Sequence, residues 1–160
     1  MICVPGDVPG VFLVRGLFCS QADDDSEKYM SDQVPVLVVE DEEILLSFLK
    51  TALERGGIKV IGAASGEEAL EVLAKKEVAG IVSDLVMPGK IGGAEIFDWV
   101  CENRPKLTPR FLFITGDAMG DHAVEVRERT GALFIQKPFR IALLIGLIQK
   151  ITSVDEETHA

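Results

Sequence analysis

The sequence predicts an α/β protein: a parallel sheet of five strands with helices on both faces. Three observations predict it. Short apolar runs of strand length recur along the chain, at Val36-Leu37-Val38-Val39, 58–63, 79–83, Phe111-Leu112-Phe113-Ile114 and Leu133-Phe134-Ile135. Stretches with apolar residues at helical spacing separate them, and that alternation is the mark of a parallel sheet with crossover helices. The runs are apolar at successive positions rather than at every second one, as strands covered on both faces are. Right-handed crossovers then distribute the helices over both faces.

Each element has its own signal. The first strand is bounded by Pro35 and Glu40-Asp41. Ile44, Leu45, Phe48, Leu49, Ala52 and Leu53 follow at helical spacing until Gly56-Gly57 stops them. After the second strand, Ser65-Gly66-Glu67-Glu68 reads as a capping box opening a helix with Ala69, Leu70 and Leu73 on its apolar stripe. The third strand ends at Asp84 because Pro88 fixes its own φ and lacks a donor. Gly89, Gly92 and Gly93 permit a sharp return into a third helix, marked by Ala94, Ile96, Phe97 and Val100 and ended near Asn103-Arg104-Pro105. The fourth strand ends at Thr115-Gly116-Asp117. A weaker helix runs from about Asp121 to Arg129 and stops near Gly131. The fifth strand ends at Gln136-Lys137-Pro138, and a last helix runs from about Arg140 to Ile151.

Residues 1–33 differ from this pattern. Pro5, Gly6, Pro9 and Gly10 break the start, and Asp23-Asp24-Asp25-Ser26-Glu27 is an acidic run. A disordered or loosely attached tail is expected there, one compact domain over 34–152, and a polar tail over 153–160. A net charge of −10 argues against a nucleic-acid-binding surface, which needs clustered Lys and Arg. Cys3, Cys19 and Cys101 form no zinc-type spacing, and His122 and His159 are too few and too far apart for a metal cluster. No apolar run approaches the ~20 residues of a membrane span, and Val11–Phe18 is short and interrupted by Arg15. A reduced, cytoplasmic chain is the simplest account.

In an open α/β sheet the C-terminal strand ends share one edge, where ligands bind. Glu40 and Asp41, Asp84, Thr115 and Lys137 all fall there. Carboxylates so close repel one another unless a cation bridges them, and hard oxygen donors fit Mg²⁺. A hydroxyl and an ammonium beside them suit a phosphoryl group. Together they describe phosphoryl transfer onto an aspartate. Singly, each has a plainer role: Glu40-Asp41 at a helix N-terminus, Asp84 as a turn cap, Thr115 in a turn, Lys137 in solvent. Four strand ends carrying the set in order make the joint coincidence improbable.

On these residues the chain resembles the receiver domain of two-component response regulators, over roughly 34–152. The marks are Val-Leu-Val-Val-Glu40-Asp41-Glu42, Val-Ser-Asp84-Leu-Val-Met-Pro-Gly, Phe-Ile-Thr115-Gly116 and Phe134-Ile-Gln-Lys137-Pro138-Phe. The resemblance implies a flavodoxin-like doubly wound sheet of order 2-1-3-4-5. It implies Asp84 as phosphoacceptor, and Glu40, Asp41, Asp84 and the backbone carbonyl of Val86 at a Mg²⁺ site. Thr115 and Lys137 would contact the phosphoryl group, and Phe134 would change rotamer with Thr115 on activation. A sensor histidine kinase or phosphotransfer protein would be the donor. Phosphorylation would reshape the face made by helix 4, strand 5 and helix 5.

Two departures stand out. Glu40 replaces the more usual Asp, so its longer arm is expected to reach the ion through water. No Asp or Ser precedes the last glycine of the loop, where Gly92 stands, and a looser loop is expected. Beside the acceptor, Val86 and Asp117 are expected to tune slow self-dephosphorylation, because valine cannot orient a water. The apolar circumference of the last helix leaves two readings open: a partner surface, including a homodimer through helix 4, strand 5 and helix 5, or burial under a neighbouring element. With no output domain in the pattern, a single-domain regulator or the receiver of a hybrid kinase is expected. The rival readings are a receiver-like interaction module that is never phosphorylated and an aspartyl-phosphate phosphatase. Val86 disfavours the phosphatase, which needs a second acid at that position.

Overall fold

Val36 and Val38 turn to one face of the first strand, and Leu37 and Val39 to the other, and all four are buried. The computed structural model describes residues 33–153. It contains β1 (Val36–Val39), α1 (Glu43–Arg55), β2 (Val60–Ala63), α2 (Gly66–Lys75), β3 (Gly80–Asp84), α3 (Gly93–Asn103), β4 (Phe111–Thr115), α4 (Asp121–Thr130), β5 (Leu133–Gln136) and α5 (Ile141–Thr152). All neighbouring strands pair in parallel, in the order β2-β1-β3-β4-β5. This is the flavodoxin-like doubly wound sheet that the resemblance implies. The tail expected over 1–33 lies, apart from Gln33, outside the described residues, and so does the C-terminal tail beyond Ser153.

The two-sided core follows from the period of two along each strand. On one face Leu37, Val39, Ile81, Phe111 and Phe113 pack with Leu73 of α2, Ile96 and Val100 of α3 and Val126 of α4. On the other, Val36, Val38, Val82, Leu112, Ile114 and Ile135 pack with Leu49 and Leu53 of α1 and Leu144, Ile148 and Ile151 of α5. Burying each such side chain stabilises the fold by about 1.5–3 kcal/mol, so both layers are needed to offset chain entropy.

Several local expectations change in detail. A 3-10 helix, Pro105–Arg110, separates α3 from β4; Pro105 opens it, and Pro109 removes a donor that an α-helix would need. Ser65 caps α2 by accepting from the Glu68 N–H at 3.1 Å, but the Glu68 carboxylate reaches the Ala64 N–H, one residue before the cap. The circumference of α5 divides: Leu144, Ile148 and Ile151 are buried, Ile141, Ile145 and Leu147 are partly buried, and Leu143 is exposed.

Candidate functional site

The strand register builds the site. Val39 pairs with Ser83, so the next residues, Glu40 and Asp84, stand side by side as their strands end. The ladders run on past the strand ends: the Glu40 N–H donates to Ala63 O, Leu85 N–H to Ile114 O and Lys137 N–H to Thr115 O. The backbone that carries each functional side chain is therefore pinned. Glu40, Asp84 and Thr115 are buried polar residues in an otherwise apolar sheet. Such residues persist only with partners.

For Glu40 and Asp84 the partner is Lys137. Its ammonium donates to Glu40 Oε2 and to Asp84 Oδ2, both at 3.0 Å. Asp41 is the most open of the three acids, and one carboxylate oxygen of each of Glu40, Asp41 and Asp84 lies within 4.8 Å of the others. One ammonium against three carboxylates leaves the cluster with a formal charge of −2. Burial pushes the Glu40 carboxyl above its ordinary value of 4.5; the Lys137 hydrogen bond opposes this, and the nearby Asp84 charge adds to it. Burial pulls the Lys137 ammonium down, but its hydrogen bonds to Asp84 and Glu40 outweigh that and leave it above its ordinary range. Both shifts favour the protonated form, that of Glu40 chiefly through burial and that of Lys137 through its two carboxylate partners.

That excess, and the donor set, fit a small divalent cation. Octahedral Mg²⁺ binds oxygens at about 2.0–2.1 Å, so its donors lie roughly 3–4 Å apart. The three acids offer oxygens within 4.8 Å of one another, a spacing that retained water or a small closure can complete. Lys137 occupies one oxygen of Glu40 and one of Asp84, and among the described residues no hydrogen bond reaches Asp84 Oδ1. Glu40 Oε2 accepts from the lysine, and Glu40 Oε1 accepts from the Glu42 N–H at 3.4 Å.

Beside Asp84 opens a cavity of about 430 Å³, lined by Asp84, Val86, Thr115, Gly116, Asp117 and the first turn of α4. Val86 is exposed there. The Thr115 hydroxyl accepts from the Asp117 N–H and donates to the Asp117 carbonyl, each at 3.2 Å. The Asp117 carboxylate accepts from the Met119 N–H, so it already serves the turn. Phe134 is half-buried and lies against Phe113, with ring centroids 4.9 Å apart. Every residue expected at the site from sequence thus falls at this edge or, for Phe134, on the strand leading into it.

Sequence reasoning missed three contributors. His122 lines the cavity from α4. Arg127 covers the outer face of Phe134, 4.8 Å from the ring centroid. Glu95 supplies the cap that the loop lacks, accepting from the Gly92 N–H at 2.8 Å. The glycines of this loop differ in purpose. Gly89 has φ +104, a conformation other residues resist. Gly93 is needed for closeness: a Cβ there would sit 2.5 Å from the Asp84 carbonyl oxygen.

Comparison with known proteins agrees with this geometry. The sequence profile of the family described as "Response regulator receiver domain" matches residues 36–149. The response regulator protein FleR of Pseudomonas aeruginosa is 32% identical over 115 residues, which cover 72% of this chain and 24% of that protein. The sensor kinase CckA of Brucella abortus is 32% identical over 124 residues, covering 76% of this chain and 13% of CckA. The transcriptional regulatory protein SrrA of Staphylococcus aureus is 30% identical over 132 residues, covering 78% and 53%. The chain thus spans about half or less of the length of each of these relatives. Among solved structures, the non-phosphorylated HemR receiver domain of Leptospira biflexa superposes with a TM-score of 0.66 at 27% identity, covering 76% of this chain and 96% of that one. Chemotaxis protein CheY4 of Vibrio cholerae gives 0.65 at 27% identity, covering 74% and 98%. With the sheet order, the acidic edge and the profile in agreement, the chain belongs to the response regulator receiver family of two-component systems.

Proposed function

We propose that this receiver accepts a phosphoryl group on Asp84 in a histidine-to-aspartate phosphorelay. The observation that carries the reading is Lys137 bridging Glu40 and Asp84, with Asp84 also lining a cavity that Thr115 shares. An Asp84 carboxylate oxygen attacks phosphorus, the bond from phosphorus to the donor breaks with its electron pair leaving on the donor, and an acyl phosphate forms. Lys137 stays beside the new anion, and the Thr115 hydroxyl can turn from the Asp117 backbone to a phosphoryl oxygen. Glu40, Asp41, Asp84 and the Val86 carbonyl would hold Mg²⁺, which offsets charge on the transferring oxygens when bound. The donor is a phosphohistidine of a sensor kinase or phosphotransfer protein, or a small acyl phosphate.

Phosphorylation adds about −1.5 to −2 charges to an edge that is already negative. The added charge draws Thr115 inward, lets Phe134 follow and reshapes the α4–β5–α5 face for a partner, a homodimer being one such assembly. Among the described residues no helix is long and apolar enough to cross a membrane, and the reading places the chain in the cytoplasm with its donor. The protein is then a phosphoprotein that releases its phosphoryl group slowly, not an enzyme acting on other substrates.

The test is incubation with acetyl phosphate and Mg²⁺, read by intact mass and Phos-tag mobility. Addition of one phosphoryl group, lost with EDTA or in Asp84→Asn, supports the reading. A wild-type chain that stays unmodified by acetyl phosphate and by phosphorylated histidine kinases returns the function to a receiver-like interaction module.

A further inference from the structure

Phe134 is the outer ring of an aromatic cluster. Phe97, Phe111 and Phe113 contact one another with centroids 4.6–5.9 Å apart, and Phe134 stacks on Phe113, its register partner in β4. One face of the Phe134 ring is thus backed by the core. Arg127 of α4 covers it, with the guanidinium carbon 4.8 Å from the centroid.

Two features make this contact more than a surface cation at rest. α4 closes with Gly131 at φ +65, its N–H bonded to Arg127 O, and β5 begins at Leu133. The short left-handed turn therefore fixes the last turn of α4 relative to the start of β5. The second feature is partner choice. Glu125 and Glu128 lie on the same helix, yet among the described residues Arg127 forms no ion pair and meets the aromatic ring instead. Its neighbour Arg129 does take an acid, Asp98 of α3. The two arginines of this turn thus have separate tasks: Arg129 ties α4 to α3, and Arg127 ties α4 to the β5 ring.

We propose that Arg127 is a positioning residue for Phe134: its guanidinium holds the ring against Phe113 and thereby sets the resting state of the α4–β5 surface. The link to phosphorylation rests on the reading of Asp84 and Phe134 given above. Cation–π attraction falls away when the ring leaves the guanidinium, so the contact stabilises one ring position over others. A site that must move Phe134 to accommodate a phosphoryl group works against this hold. Removing the hold raises the fraction of molecules already competent for the modified state.

The test uses the full chain with 4-fluorophenylalanine at every Phe position, the Phe134 fluorine signal being assigned by its loss in Phe134→Leu. Arg127→Gln should move the Phe134 signal and leave those of the inner rings nearly in place. It should also speed labelling by acetyl phosphate and Mg²⁺ about three- to tenfold, the factor expected for loss of one cation–π contact. Arg127→Lys keeps the cation but not the planar group and should fall between. In the Phe134→Leu background, Arg127→Gln should have no further effect on labelling, because a positioning residue acts through what it positions. A Phe134 signal unmoved by Arg127→Gln, or the same rate change with and without the ring, overturns the proposal. If no variant is labelled, the phosphoacceptor reading fails, and the fluorine signal alone still decides whether Arg127 holds the ring.

Discussion

Lys137 Nζ lies 3.0 Å from Glu40 Oε2 and so ties the end of β5 to the end of β1, across the two strands between them. The pair is not a simple stabiliser. Glu40 is buried, and its carboxyl is pushed up despite the ammonium beside it, chiefly by burial. An acid whose folded-state pKa is raised binds protons more tightly in the native state than in the unfolded one. Its ionisation therefore costs stability, a cost absent below its ordinary 4.5 and complete above its raised folded value. In EDTA, stability should fall as pH rises through that window, and Glu40→Gln should remove this component. At neutral pH without metal, Glu40→Gln should raise the unfolding midpoint by about 3 °C, on the order of 1 kcal/mol. Thermal melts of both proteins from pH 4 to pH 8 check this; parallel pH profiles contradict it.

Mg²⁺ should reverse part of the same cost. Millimolar Mg²⁺ should raise the melting midpoint by mass action and shift the NMR signals of Asp41 and Asp84, with weak affinity because water retains several ligand places. Glu40→Gln should weaken both responses. Trp99 lies on α3 and is a poor reporter of this edge. Absence of any response at millimolar Mg²⁺ sinks the assignment of the acidic cluster.

Gly93→Ala should loosen the loop after Asp84 more than a change of φ preference would predict. The new Cβ would lie 2.5 Å from Asp84 O, and backbone cannot swing aside as a side-chain tip can. A loss of about 2 kcal/mol in urea unfolding is expected, together with slower labelling of Asp84. Gly92→Asp, which supplies the side chain that this loop lacks, should be tolerated better. Equal losses in the two variants count against the argument from close approach.

The fold was legible because its strands are short apolar runs with unmistakable boundaries. Pro35, Asp84, Thr115 and Lys137 mark those ends in one dimension as they do in three. Site membership was legible for the same reason, since a parallel sheet brings its strand ends together. Pairings were not. Nothing in sequence says that Lys137 divides itself between Glu40 and Asp84, because that depends on side-chain reach at a shared edge. The 3-10 helix at Pro105–Arg110 was hidden because Pro105 reads equally well as an end and as a beginning. Arg127 was hidden because its target, Phe134, lies beyond the turn at Gly131, outside any helical spacing.

Dephosphorylation should respond to Val86. Val86 and Asp117 line one cavity with Asp84, and the Asp117 carboxylate is engaged by the Met119 N–H. Valine offers no hydrogen bond with which to orient a water, and the Asp117 carboxylate places negative charge beside an anionic phosphoryl group. Val86→Asn should speed loss of the phosphoryl group several-fold with Mg²⁺ saturating and no phosphatase present. An unchanged or slower decay, followed by Phos-tag gels, shows that water orientation is not limiting here.

The central claim is that Asp84 carries the phosphoryl group. An acyl phosphate, unlike a free carboxylate, is reduced by borohydride to an alcohol, so the modified residue can be marked covalently. Acetyl phosphate and Mg²⁺, then borohydride, then peptide mass mapping should show homoserine at position 84 and at no other acid. The mark should vanish when Mg²⁺ is withheld. Reduction at Glu40, Asp41 or Asp117 instead, or equal recovery of the mark in Asp84→Asn, would contradict the account.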